Sequence, residues 1–297
     1  MTVRSSSLSL FAGLTLWMAA LCSAQSAGEI AITHDPDASR AAARTQLLLV
    51  TGLAAEPFYA GHFERWSANL VEVAKDGLQV ASSDLVWLAP PGTKGAAGEA
   101  RLSSIEASIA RMAAAAHPEG VFMMVLIGHG TARGQDVLFN LAGPDVSAQV
   151  LAELLRSFGD SHVIVVNTAA ASGPFIPLLS APGRTVITAT SHARENEFTR
   201  FGEYFSQAFT QPSADTDKDA RISLFEAFEY TRKAVARSYA EQKLMQTEHA
   251  LLDDNGDGRG TPSPSAGGFD GAVARSIYLD TQHASLSKAG LALRVDA

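Results

Sequence analysis

The sequence predicts an α/β chain: a mostly parallel sheet with helices on both faces. Three observations carry that expectation. Short and almost wholly apolar runs recur along the chain, Val121–Ile127 (VFMMVLI) being the most apolar. Such runs suit strands buried on both faces of a sheet. Segments with apolar residues at helical spacing stand between them, and strands alternating with helices make parallel sheets. Finally, 46% of the 297 residues are hydrophobic, enough to bury a sizeable core.

In chain order, Gln46–Val50 (QLLLV) reads as a buried strand that turns at Thr51-Gly52. Phe63, Trp66, Leu70 and Val73 then recur at helical spacing, which predicts a helix over Pro57–Lys75. Asp84–Leu88 is a second strand, and Pro90, Pro91 and Gly92 mark a loop before a helix at Leu102–Ala115. Val121–Ile127 is the next strand, closed by Gly128-His129-Gly130. A short strand at Val137–Leu141, a helix at Ser147–Phe158, a strand at Val163–Val166, a strand at Thr185–Thr190 and a helix at Phe198–Phe209 follow. Beyond Asp215 the character changes to two Asp-rich loops separated by a helix at Leu224–Tyr239, with Phe225, Phe228 and Val235 turned inward.

The amino terminus reads as a secretory signal peptide over 1–24. Arg4 is its only charge, an apolar run follows from Leu8 to Cys22, and small residues come next. The run is short for a membrane span of roughly 20 residues, and the bulky Leu21 before Cys22 argues against a lipoprotein. The expectation is an exported protein, periplasmic or extracellular, with no membrane span after cleavage; an uncleaved anchor is the alternative. Residues 25–45 read as a linker, 46–212 as the α/β domain, and 213–297 as a section packed on it. A formal net charge of −8, spread rather than blocked, argues against a nucleic-acid surface. Cys22 is the only cysteine, so a chain cleaved behind it has no disulfide, thiolate metal site or thiol nucleophile.

Sites in open parallel sheets lie at the carboxyl ends of strands. His129, the segment Asn167–Gly173 (NTAAASG) and Thr190-Ser191 all fall there. A strand ending in His-Gly, followed by one ending in a small-residue turn with Ser-Gly, resembles the legumain-type cysteine peptidases of the caspase clan. The resemblance runs from Gln46 to Phe209. It implies a caspase-like sheet, with His129 at the catalytic histidine position and Gly130, Thr190 and Ser191 beside an extended peptide. The family's nucleophile turn reads Ala-Cys-x-Ser-Gly; here Ala169 to Gly173 match it, and Ala170 stands at the cysteine.

Alanine offers no attacking atom, and losing one member of a catalytic unit drops the rate by orders of magnitude. The resemblance therefore implies an inactive peptidase homologue that binds a peptide or protein partner. An active hydrolase using Ser172 or a bound water, with His129 as base, is the alternative; a structural envelope protein is another. No G-x-S-x-G elbow supports a serine hydrolase. A histidine between glycines at a strand end is equally read as a polar cap on a core strand.

Residues 215–226 (DTDKDARISLFE) fit the EF-hand loop pattern. Asp215, Asp217 and Asp219 hold its first, third and fifth positions, the Arg221 carbonyl the seventh, Ser223 the ninth and Glu226 the twelfth, which brings six or seven oxygens around one Ca2+. Ala220 stands where the loop turns with positive φ and normally has Gly, costing on the order of 1–2 kcal/mol. A capping box, Ser223 with Glu226, is the structural alternative and is compatible with the first. Asp253, Asn255 and Asp257, with Gly258, resemble the start of a second loop, but Pro264 at its twelfth position cannot ligate. A half-site or a hydrated Asx-rich turn is as good a reading of it as a calcium site. The histidines show no zinc spacing, and no glycine-rich phosphate loop follows a strand, so neither zinc nor a nucleotide is expected.

Overall fold

The computed structural model describes residues 44–264, apart from 135, and 270–280. The expected signal peptide, Cys22 and residues 25–43 of the linker lie outside the described residues. No described helix is long and apolar enough to cross a membrane.

In chain order the strands are β1 (Thr45–Thr51), β2 (Leu85–Ala89), β3 (Gly98–Glu99), β4 (Val121–Ile127), β5 (Gly130–Arg133), β6 (Asp136–Phe139), β7 (Val146–Ser147), β8 (His162–Asn167), β9 (Arg184–Thr188) and β10 (Leu251–Asp253). Seven of them form the main sheet, in the order β10-β9-β8-β4-β1-β2-β3. All neighbours are parallel except β10, which runs antiparallel to β9. The most apolar run, β4, sits at the centre between β1 and β8. Strands β5, β6 and β7 make a short second sheet.

Strand alternation sends successive side chains to opposite faces, and each face is covered. Leu47 and Leu49 of β1 join a core with Phe63 and Trp66 of α1 (Pro57–Glu72), Phe201 and Phe205 of α5 (Phe201–Ala208), and Phe228 of α6 (Leu224–Glu241). Leu48 and Val50 join a second core with Ile105 and Met112 of α2 (Leu102–Ala114), Leu151 of α3 (Ala148–Leu154) and Leu179 of α4 (Ile176–Leu179). The sheet thus separates two hydrophobic cores, as the apolar runs predict for strands buried on both sides.

The differences from the sequence reading are local. The helix expected over Pro57–Lys75 changes to a π turn at Val73–Gly77, and the one expected over Ser147–Phe158 tightens to 3₁₀ at Leu155–Phe158. Strand β9 ends at Thr188, short of the expected Thr190, because the chain turns there: the Thr188 hydroxyl donates to the Thr190 carbonyl at 2.9 Å. The helix expected from Phe198 starts at Phe201, since Phe198 leaves to stack on Trp66. Strands β3, β5, β7 and β10 are too short to show a period in the sequence.

Helix α5 begins on a buried carboxylate rather than a local cap. Glu248, 2% exposed, accepts the backbone N–H groups of Arg200 at 2.7 Å and Phe201 at 3.1 Å, and the Tyr239 hydroxyl at 3.1 Å. Burial pushes this carboxyl up to about 7 despite those bonds. A carboxyl whose folded pKa is raised contributes stability that is present below its unfolded value and lost as pH rises through the folded one. The urea midpoint of the protein should therefore fall between pH 5 and pH 8, and the fall should be smaller in Glu248→Gln; an equal fall in the variant would refute this assignment.

Candidate functional site at the carboxyl ends of the strands

The turn after β8 is held from several sides. The Thr168 backbone N–H and hydroxyl both donate to the Leu126 carbonyl at 2.9 Å, tying the turn to the end of β4. The Asn167 carboxamide oxygen accepts the Ala169 N–H at 3.0 Å. Ala171 takes a positive φ of 52° and donates its N–H to the Glu195 carbonyl at 2.8 Å. Thr190 acts as a clip. Its hydroxyl oxygen accepts the N–H groups of Ser172 at 2.7 Å and Gly173 at 3.1 Å, while its own N–H donates to the Ser172 hydroxyl at 3.2 Å.

This network decides where the side chains face. Ser172 and Thr190 are both fully buried, and their hydroxyls lie 3.1 Å apart. The Ser172 oxygen is therefore directed into the protein and not toward an open cleft. Ser191 is half-buried, and its N–H donates to the Glu195 carboxylate at 2.7 Å. Ala170 is 5% exposed. Gly130 packs directly on it: a Cβ added at Gly130 would lie 2.5 Å from the Ala170 carbonyl oxygen. A Cβ at Gly173 would collide with the Ser191 backbone. Both glycines are required by close backbone approach.

His129, just past the end of β4, directly precedes the Gly130 backbone that meets the Ala170 turn. Its half-buried ring packs edge-on against Tyr59 and Phe63, with centroids 5.0 Å away in each case. No described residue hydrogen-bonds the ring. Burial pushes its pKa down, with Glu56 opposing, so the imidazole is neutral near pH 7. Around it stands an aromatic lip that the sequence alone does not reveal. Phe58, 62% exposed, lies against Tyr59 and His62 with centroids 5.3 and 4.6 Å away, and Phe198 lies 5.0 Å from Tyr59. A cavity of about 270 Å³ opens among Gly52, Leu53, Phe63, Glu64 and Pro91. Helical spacing marks Phe63 and Trp66 as core, but nothing in it marks Tyr59 or Phe198 as neighbours of His129.

The first acidic loop brings three carboxylates together. Carboxylate oxygens of Asp215, Asp217 and Asp219 lie within 4.8 Å of one another. Asp215 accepts the Ala220 N–H at 3.1 Å, Asp217 that of Asp219 at 3.1 Å, and Asp219 that of Arg221 at 2.8 Å. Ala220 does adopt positive φ, 67°. The Asp215 Oδ1 atom is buried without a hydrogen-bond partner. The Asp219 N–H lowers the pKa of Asp217, but burial and the neighbouring Glu226, Asp219 and Asp215 outweigh it and leave the carboxyl raised. Unbalanced negative charge of this kind suits a cation.

Glu226 is a capping-box residue in this structure. Ser223 accepts its N–H at 3.2 Å, and its Oε2 accepts the Ser223 N–H and hydroxyl at 2.9 Å. Its Oε1 accepts the Thr216 N–H at 2.8 Å, so bidentate ligation would require the carboxylate to turn. The Arg221 guanidinium pairs with Asp280 and lies 3.7 Å over the Tyr278 ring, whose hydroxyl donates to Asp219 at 3.0 Å.

The second loop repeats three of the first loop's bonds, and in addition its Asp253 Oδ1 accepts the Gly256 N–H at 3.1 Å where the Asp215 Oδ1 has no partner. Asp253 accepts the Gly258 N–H at 3.1 Å, Asn255 that of Asp257 at 2.8 Å, and Asp257 that of Arg259 at 2.8 Å, with Gly258 at φ 76°. Asp270 stands where Pro264 has no ligand to offer. It accepts the Asp254 N–H at 3.3 Å and the Thr261 hydroxyl, the places that Glu226 serves at Thr216 and Ser223. Burial pushes Asp270 up to about 6. Loop spacing cannot reveal a residue that arrives from outside the loop.

These features define an open, mostly parallel α/β protein whose candidate site lies on loops at the carboxyl ends of its central strands. No family model matches the chain, and no curated protein matches it. Solved structures do. Protein GSU0716 from Geobacter sulfurreducens is 12% identical over 71% of this chain and 92% of its own, with a TM-score of 0.45. The structure of drICE is 10% identical over 71% of this chain and 87% of its own, TM-score 0.42. The Drosophila initiator caspase Dronc is 16% identical over 73% of this chain and 81% of its own, TM-score 0.47.

The clip has a measurable consequence. Thr190→Val keeps the shape but strands two buried N–H groups and removes one of the Ser172 hydroxyl's two bonds, at a cost of about 2–4 kcal/mol. Thr190→Ser should recover most of that loss in urea unfolding. Equal stability of the Val variant and the native protein would show that the turn is held by packing alone.

Proposed function

We propose that this chain is an exported homologue of the caspase and legumain-type peptidases that has lost its attacking residue and binds a peptide or protein partner at the strand-end face. The observation that carries the reading is Ala170: the turn that packs on Gly130 beside His129 offers a methyl group where the resemblance implies a thiol. The burial of Ser172 and its commitment to Thr190 favour binding over hydrolysis by that serine. His129, neutral and beside an exposed aromatic lip, supplies one donor and one acceptor for a peptide backbone. An exposed aromatic side chain that a bound peptide buries can act as an anchor for it. Peptides enriched on this protein from a random library should lose about tenfold in affinity for Phe58→Ala, with the melting temperature unchanged. Failure to enrich any peptide, or equal affinity for the variant, would contradict the reading.

The same reading gives the 215–226 loop a Ca2+, held by Asp215, Asp217, Asp219, the Arg221 carbonyl, Ser223 or a water, and Glu226 after its carboxylate turns. The buried, unpartnered Asp215 Oδ1 supports this fit. The set Asp253, Asn255 and Asp257 is the second candidate. Bound calcium would tie α6 to the chain before it, which is a structural role. A ligand at a hundred times its Kd stabilises by about 2.7 kcal/mol. Millimolar calcium should accordingly raise the melting temperature, and Asp217→Ala should remove the rise. No rise in the native protein would leave Ser223 and Glu226 as a helix cap only.

A further inference from the structure

Outside both sites, two histidines flank one buried carboxylate on the rim of the turn. Glu195 is buried while His192 and His249 are more than half exposed, with side chains 60% and 53% accessible. The Glu195 carboxylate is divided in its duties. Its Oε2 accepts two backbone N–H groups, from Ser191 at 2.7 Å and from His249 at 3.1 Å. Its Oε1 faces the two imidazoles, with His249 Nδ1 at 2.5 Å and His192 Nε2 at 4.0 Å.

We propose that Glu195, His192 and His249 form a binding site for a transition-metal dication of the Zn2+ class, with one coordination position left to water. Two imidazole nitrogens and one carboxylate oxygen are borderline ligands, which suit zinc, copper, nickel or cobalt and not calcium. Ligand atoms about 2.1 Å from a tetrahedral ion stand roughly 3.4 Å from one another. The His249 nitrogen must therefore retreat from Glu195 by about 0.9 Å and the His192 nitrogen approach it by about 0.6 Å, and the two imidazoles, which do not lie within 4.8 Å of each other, must close on one another as the ion binds. Both side chains are on the surface and free to do so. The carboxylate need not move, because its two backbone bonds fix it with Oε1 presented. Such bonds are what orients a metal ligand in an established site. Binding displaces the proton that Nδ1 of His249 shares with Glu195: the imidazole binds neutral, with its proton on Nε2, or releases one from the imidazolium.

The site is placed to act on the neighbouring turn. The Glu195 carbonyl accepts the Ala171 N–H at 2.8 Å, and His249 lies just ahead of β10. A bound ion would join the 191–195 segment to the approach to β10 and stiffen the wall beside Ala170. The pattern is invisible to histidine spacing, since its third ligand lies 54 residues from Glu195.

The test uses the full chain in calcium-saturated buffer, so that the aspartate loops do not compete, titrated with Zn2+ alone by calorimetry. One ion per chain should bind with micromolar Kd. Affinity should fall at least tenfold in His192→Ala and in His249→Ala. Cu2+ should give an electron-spin resonance spectrum with nitrogen splitting that weakens in both histidine variants. Each substituted side chain is exposed, so the melting temperature checks that the fold persists. No binding at 100 µM Zn2+, taken as roughly the ceiling for a built site, or undiminished binding in either histidine variant, overturns the proposal and leaves a hydrogen-bonded pair.

Discussion

The strand-end face depends on one constraint: a buried threonine hydroxyl must satisfy the backbone of a turn that the sheet cannot reach. Strands β8 and β9 run out of ladder at Asn167 and Thr188, yet the next residues remain buried and their N–H groups need partners. Thr190 supplies two of them, Glu195 a third and Asn167 a fourth. With those bonds made, Ala171 can hold its positive φ, an arrangement costly for a residue with a Cβ. The geometry of everything around Ala170 follows. Gly130 can approach because it has no side chain, and His129 is carried to the turn with it.

The two acidic loops meet the same need in another form. Each turns on three Asx-type side chains that accept their own backbone N–H groups, and each is closed by a carboxylate on its second and ninth positions. In the first loop that carboxylate, Glu226, is also the cap of α6. In the second it is Asp270, from beyond the loop. One arrangement of backbone donors thus accepts either source of charge. The polar side chains in both loops hold the backbone before any ligand is considered.

Much of the fold is legible in the sequence because burial on both faces leaves an unmistakable imprint. Val121–Ile127 contains no polar residue, and it is the central strand with its bounds as read. The helices follow from apolar spacing, with errors where side chains far away in sequence intervene: Glu248 resets the start of α5, and Phe198 is drawn to Trp66. Strand β10 leaves no signal because three residues have no period. At the strand ends, topology alone groups His129, the 167–173 turn and Thr190. It does not give the role of Thr190. That residue reads as a pocket residue by resemblance, whereas in the structure its hydroxyl is committed to the turn. The aromatic lip, Glu195 with His249, and Asp270 all depend on contacts between distant segments, and no spacing rule carries that information.

The central proposal is that the turn at Ala170 presents neither a thiol nor a free hydroxyl to a peptide carbonyl. Intact-mass spectrometry after exposure to an activated peptide ester tests it most directly. An acyl-enzyme would add the mass of the peptide's acyl group to the chain. The account predicts an unmodified mass at every time point, in the native protein and in Ser172→Ala alike. A stoichiometric adduct on the native protein, absent from Ser172→Ala or from His129→Ala, would contradict it.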